Sequence, residues 1–295
     1  MSIPTFPPPD RAEHQEGFLH ARDHIRLFWQ RYVPPSPRAT VIVLHGGGDH
    51  SGRYPAVVSA LVREGFEAAL VDLRGHGQSD GRRWYVDSFD DYVSDFDGFY
   101  EKLRQEHPDR PRFVVAHSQG ALVAALWAMG RAHDVAGFVL SSPFFGFAIR
   151  PPLLKELGAR VVGKIIPWLP IATGIGFDSL TSDEELQGWT ARDHLYSRST
   201  TPRWFVEARR AQVEALHRAR EFRAPLLVLA AGADAIADLE ATRRFVDAAG
   251  SAEKRLTVYA GFRHEIFNER ERTHPIGDAI AWVSQHVVSA RGELR

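Results

Sequence analysis

Six short apolar runs limit what this chain can fold into: TVIVLHG (40–46), FEAALVD (66–72), RFVVAHS (112–118), VAGFVLSS (135–142), PLLVLAAG (225–232) and RLTVYAG (255–261). Each carries apolar residues on both faces of a two-residue period, as a strand buried between two layers must. Helical patterns separate them, over 53–65, 88–107, 119–132, 238–249 and 275–290. Strands that alternate with helices need crossovers. Right-handed crossovers give an α/β fold, a doubly wound and mostly parallel sheet with helices on both faces. Residues 17–33 read as a hairpin stopped by Pro34 and Pro35, which cannot extend a ladder.

The alternation breaks over 143–218, too long an interval for a loop, so a largely helical insertion is expected there, a cap on the sheet. The expected organisation is a core, first part, over 1–142, the cap over 143–218, and the core's second part over 219–295. A chain of 295 residues with 44% hydrophobic and 25% charged residues suits such a domain. The formal net charge is -1 and the basic residues are scattered, which argues against nucleic acid as a partner. With no cysteine, disulfides, zinc thiolates and thiol catalysis are excluded. The start, MSIPTFPPPDRAEHQEG, shows neither a basic nor an apolar signal region, and no segment reaches the roughly 20 apolar residues of a membrane span. A cytoplasmic protein is expected.

The joint between RFVVAHS and the helical pattern after it places a hydroxyl at a sharp turn. Ala116-His117-Ser118-Gln119-Gly120 fits a small-x-Ser-x-Gly elbow, in which small residues let strand and helix crowd while the serine stands exposed. Serine is also a common helix N-cap, so the motif alone leaves two readings. A serine nucleophile needs a base, an acid to orient that base, and donors for an oxyanion. In this kind of fold, acid and base follow the serine in that order. The loop after 225–230 offers Asp234 and Asp238, and the loop after 255–260 offers His264. Gly46, Gly47 and Gly48, after the first strand, would let the backbone approach a ligand, and the N–H of Gln119 opens the elbow helix.

HGGGDHSGRY (45–54), DLRGHGQSDG (72–81), AHSQGA (116–121), ADAIAD (233–238) and YAGFRHEIFNE (259–269) together resemble the monoacylglycerol lipase and lysophospholipase branch of the α/β-hydrolases, over about residues 17 to 288. The resemblance implies an α/β-hydrolase fold with Ser118 as nucleophile, Asp234 as acid and His264 as base. It also implies the N–H groups of Gly47 and Gln119 as oxyanion donors. The implied reaction cleaves carboxylic esters of single-chain acyl lipids, monoacylglycerol or lysophospholipid, to free fatty acid through an acyl-enzyme, with no cofactor. Four positions depart from the family: Ala116 stands where Gly is usual, Ala121 where a further Gly is common, Gln119 where Met is usual, which turns a polar side chain toward the acyl site, and the usual glycine before Asp234 falls at Ala231 or Gly232.

Phe144, Phe145, Phe147, Ile149, Leu153, Leu154, Ile165, Ile166 and Trp168 are more apolar residues than a short helical pair can bury. Some are expected to line an acyl channel or meet a lipid surface, with Phe144, Phe145, Ile166 and Trp168 the candidates for substrate contact. The cluster Asp72, Arg74, His76, Asp80 and Asp87 lacks metal-ligand spacing and is expected to brace a loop, so no metal is expected. The glycines at 46–48 lack the Lys-Ser/Thr of a phosphate loop. The basic helix RWFVEARRAQVEALHRAR (203–220) mixes its charges with glutamates and reads as a solvated face. The rival readings are a short-chain carboxylesterase, a thioesterase or an acyltransferase using the same residues, and a non-catalytic binding protein on this fold.

Overall fold

The computed structural model describes residues 12–131, 135–149, 158 and 161–293. The hairpin is β1 (Glu13–His20) and β2 (Arg26–Val33), paired from Glu13 opposite Val33 to His20 opposite Arg26. The alternation then runs β3 (Thr40–Leu44), α1 (Pro55–Arg63), β4 (Glu67–Val71), α2 (Phe89–Glu106), β5 (Arg112–His117), α3 (Gln119–Met129) and β6 (Val135–Ser141). After the expected interruption come α4 (Glu184–Arg192), a short antiparallel pair of β7 (Ile171–Ala172) with β8 (Ser199–Thr200), and α5 (Pro202–His217). The chain finishes with β9 (Leu226–Ala231), α6 (Leu239–Ala248), β10 (Lys254–Tyr259) and α7 (Thr273–Glu293).

Eight strands form one sheet in the order β1-β2-β4-β3-β5-β6-β9-β10, with β2 antiparallel to both neighbours and the rest parallel. From β3 the chain winds to β4 on one side and then returns to β5 on the other. The carboxyl ends of β3 and β5 therefore flank the point where winding reverses, which is where such sheets hold ligands.

The double-sided apolar strands divide their side chains as their period requires. Val41 and Val43 of β3 point into one core with Leu61 of α1 and Trp282 of α7, while Ile42 and Leu44 point into the other, with α2, α3, α5 and α6. Every residue of α3 is buried, so this Ala-rich helix sits at the centre of its layer. α5 packs on the same layer: Trp204, Ala208, Ala211 and Ala215 belong to its core. Small residues at that helical spacing let α5 approach closely. Among the described residues, those from 161 to Thr200 belong to neither core, and they form the overhanging segment. The mixed charges of α5 pair with one another, Arg218 with Glu214 and Glu221, for example.

The polar cluster at 72–87 braces loops. Asp72 accepts from the backbone N–H of Ser51 (2.7 Å) and Gln78 (2.8 Å), Arg74 pairs with Asp95 and Asp23, and Asp80 pairs with Arg26. Asp87 accepts from the Tyr85 hydroxyl, and His76 Nδ1 donates to the Arg74 carbonyl.

Candidate active site

Ser118 stands between β5 and α3 with φ 51° and ψ -117°. A serine held there costs about 1–3 kcal/mol and persists only where the surroundings enforce it. They do: its N–H donates to Ser141 O at 2.9 Å, and its own carbonyl accepts from Leu122 and Phe144, each at 3.2 Å. Gly120 shows how tight the joint is, because a Cβ there would lie 2.4 Å from His45 O and 2.8 Å from Leu44 O.

Two loops beyond the parallel strands meet this serine. His264, after β10, places Nε2 2.8 Å from Ser118 Oγ and Nδ1 2.7 Å from Asp234 Oδ2. Asp234, after β9, uses Oδ1 to accept from the N–H groups of Ile236 (2.8 Å) and Ala237 (2.9 Å). Asp238 faces elsewhere, accepting from Glu240 N–H as the N-cap of α6. The choice that the sequence left open between the two carboxylates thus has a geometric answer: Asp234 is the one against His264.

The charges around the site favour one acid and one base. Burial opposes a charged His264, but Asp234 outweighs it and holds the imidazole above its ordinary pKa. Burial likewise opposes ionisation of Asp234, and His264 with the two amides holds it below the usual carboxylate range. His117, whose ring lies 4.9 Å from that of His264, is pushed down to about 3 by burial and by His264 itself. The two neighbouring imidazoles are thus driven apart, His264 toward the protonated form and His117 toward the neutral one.

The glycine loop after β3 lies directly against the serine. A Cβ on Gly46 would come within 3.2 Å of Ser118 Cβ, and one on Gly47 would meet Trp84 Cζ2 at 2.5 Å and Gln119 Oε1 at 3.0 Å. His45 fixes the loop by donating from Nδ1 to Gly46 O (2.7 Å) and accepting at Nε2 from Leu73 N–H (2.9 Å). Among the described residues, the N–H groups of Gly47 and Gln119 have no hydrogen-bond partner. That leaves two free donors beside the hydroxyl, the arrangement that stabilises an oxyanion. The overhanging segment is tied to the same loop through Ser197 N–H on Gly48 O (2.7 Å) and His50 with Asp193 (2.7 Å).

Above Ser118 opens a pocket of about 340 Å³, walled by Phe144, Phe147, Ile149, Leu180, Trp204 and Ile236. Comparison with known proteins places this architecture. The profile of the family described as "Serine aminopeptidase, S33" matches residues 35–271. The chain belongs to that family. It is an α/β-hydrolase of the monoacylglycerol lipase and lysophospholipase branch. Phospholipase YtpA of Bacillus subtilis is 30% identical over 253 residues, 85% of this chain and 97% of that one. Monoacylglycerol lipase of Mycolicibacterium smegmatis is 28% identical over 281 residues, 94% of this chain and 98% of that one. Among solved structures, the monoacylglycerol lipase of Paleococcus ferrophilus superposes with a TM-score of 0.79 at 25% identity, covering 93% of this chain and 99% of that one.

The hydrolase brings Ser118, Asp234, His264, Gly47 and Gln119 together as the sequence suggested, but only part of the expected pocket wall. Phe144 lines the pocket, with Phe147 and Ile149. Phe145 does not: its ring stacks on Phe245 at 4.0 Å, buried in the core. Phe144 and Phe145 thus face opposite ways, one toward the pocket and one into the core. Ile166 and Trp168 do not line it either; they are 42% and 48% exposed, and Arg82 lies over the Trp168 ring. Leu153 and Leu154 lie outside the described residues. Trp84, Tyr196, Leu180 and Ile236 line the pocket without having been singled out, since their chain segments carry no periodic signal that points at Ser118.

Proposed function

We propose that this ester hydrolase acts on single-chain acyl lipids, monoacylglycerols or lysophospholipids, and releases free fatty acid through an acyl-enzyme. Ser118 attacks the ester carbonyl while His264 Nε2 takes its proton, and Asp234 steadies the imidazolium that forms. The N–H groups of Gly47 and Gln119 receive the oxyanion. His264 returns the proton to the leaving alcohol, then takes one from the water that frees the acyl group. The reading is carried by the unbroken run from Asp234 through His264 to Ser118, opening beneath a largely apolar wall. Relatives named phospholipase and monoacylglycerol lipase support the substrate class.

The family description names an aminopeptidase, and the pocket argues for a neutral ester instead. Its two carboxylates, Asp49 and Glu265, both pair with Arg53, so neither is free to receive a peptide's ammonium group. The cap, expected over 143–218, would choose the acyl chain through residues that line the pocket. Its outer face exposes Ile165, Ile166, Trp168, Leu169 and Ile171, which suits transient contact with a lipid surface.

The test joins a fluorophosphonate probe to a chain-length series on glycerol and lysophospholipid esters. Ser118→Ala should abolish labelling and cost on the order of 10⁶ in turnover. An unlabelled Ser118 in the wild type would favour a binding protein, and a preference for acetyl esters would favour a short-chain carboxylesterase.

A further inference from the structure

Gln119 contributes more to the site than a backbone N–H. Its side-chain Oε1 accepts from two indoles at once, Trp204 Nε1 at 2.7 Å and Trp84 Nε1 at 3.2 Å. Indole N–H groups only donate, so the atom they share must be the amide oxygen and the orientation of Gln119 is fixed. All three residues are buried, and the indole rings meet edge to face at 4.9 Å. The same oxygen and the Trp84 ring are what a Cβ on Gly47 would strike. The two free N–H groups beside Ser118 thus belong to residues that touch one shared cluster.

That cluster is also tied at the backbone. Thr201 Oγ1 donates to the Trp84 carbonyl (3.1 Å) and accepts from Trp204 N–H (3.3 Å). Trp84 itself is held at φ 45°, in the left-handed region that a bulky residue avoids. Thr201 is where the overhanging segment returns to the sheet layer, so the clamp fastens at the base of that segment.

We propose that Trp84 and Trp204 are positioning residues for the oxyanion hole, their indole N–H groups clamping the Gln119 amide so that Gln119 and Gly47 aim their backbone N–H groups at one point. The proposal rests on the catalytic reading above. Its signature is selective: the clamp acts on the tetrahedral state and leaves ground-state binding largely alone.

The experiment uses Trp204→Phe, Trp84→Phe, Gln119→Met and the triple variant in the full chain. Each is assayed for kcat and KM on a soluble short-chain ester. Affinity is measured for a trifluoromethyl ketone, which adds to the serine, and for the matching ether, which cannot. Trp204→Phe should lower kcat and ketone affinity together by roughly tenfold, less than the 10²–10³ that follows outright loss of a donor. KM and ether affinity should stay within about twofold of wild type by the same logic. Gln119→Met strands two buried indole donors and should be the worst single variant. The triple variant removes donors and acceptor together, so its Tm should recover relative to Gln119→Met while ketone selectivity stays low, because the clamp is still absent. Equal losses for ketone and ether would overturn the proposal by making the tryptophans mere pocket wall. A lowered Tm with kcat unchanged would overturn it by making them structural. A wild type that neither labels nor hydrolyses would instead overturn the catalytic reading.

Discussion

Replacing Asp234 by Asn tests the relay at the point where its geometry is most specific. Asp234 accepts three hydrogen bonds, two at Oδ1 from the backbone N–H groups of Ile236 and Ala237 and one at Oδ2 from His264 Nδ1. Asn has a single acceptor oxygen. Leaving a buried backbone N–H without a partner costs about 1–3 kcal/mol, so two such donors should hold that oxygen on their side. The amide NH2 is then left 2.7 Å from His264 Nδ1, where it can only donate. Nδ1 must give up its proton, Nε2 must carry one, and the nitrogen facing Ser118 Oγ at 2.8 Å becomes a donor. The base is present but in the wrong tautomer. A loss of about 10⁴ in kcat is expected, as in other triads, or about 5.4 kcal/mol of barrier. Asp238→Asn is the control, because Asn caps a helix as well as Asp and this side chain meets Glu240 N–H and, at 4.0 Å, the exposed Arg244, not His264. Turnover of a soluble nitrophenyl ester and the Tm of both variants would decide it. Asp234→Asn retaining more than a tenth of wild-type kcat, or Asp238→Asn losing as much, would refute the reasoning.

Further outcomes follow from the same geometry. His264 must be neutral to act as base, and Asp234 raises its pKa against the effect of burial, so kcat/KM should fall as pH drops through a value above about 6.5. By linkage, the stability from this pair is fully present below the unfolded pKa of histidine and is lost as pH rises through the raised folded value; a pH series of Tm, wild type against Asp234→Asn, reads it. Gly120→Ala should destabilise the fold by about 2 kcal/mol or more, since its methyl would meet a backbone oxygen at 2.4 Å; urea unfolding against a Gly130→Ala control, whose nearest contact is 3.7 Å, would expose a near-neutral result. Finally, Phe147→Asp should flatten the gain of about 0.8 kcal/mol per methylene in the specificity constant, whereas Ile166→Asp, outside the pocket, should leave activity on monomeric esters unchanged.

The sheet was legible because burial on both faces leaves no polar alternation, and Ser118 because small residues must flank so tight a joint. The acid was not. Asp234 and Asp238 share one loop, four residues apart, and only the arrival of His264 from another strand tells them apart. The pocket wall was hardest to read. Phe144 and Phe145 are the same residue type side by side, yet one faces Ser118 and the other stacks on Phe245. Trp84 and Trp204 lay in a loop and on a charged helix, and what joins them is a hydrogen-bond acceptor on a third element.

The relay spans 146 residues of chain between Ser118 and His264, and its last member follows β10, which among the described residues is an edge strand paired with β9 alone. A refolding molecule can form the β5–α3 elbow from residues close in sequence while its hydroxyl is still chemically idle. Contacts between distant parts of a chain form slowly, because loop closure must come first. Reactivity toward a fluorophosphonate should therefore lag behind the burial of Trp127 on α3, and the delay between the two signals times the docking of the final strand. Without β10 in place the serine has no base beside it, so the nucleophile depends on the last strand of the sheet.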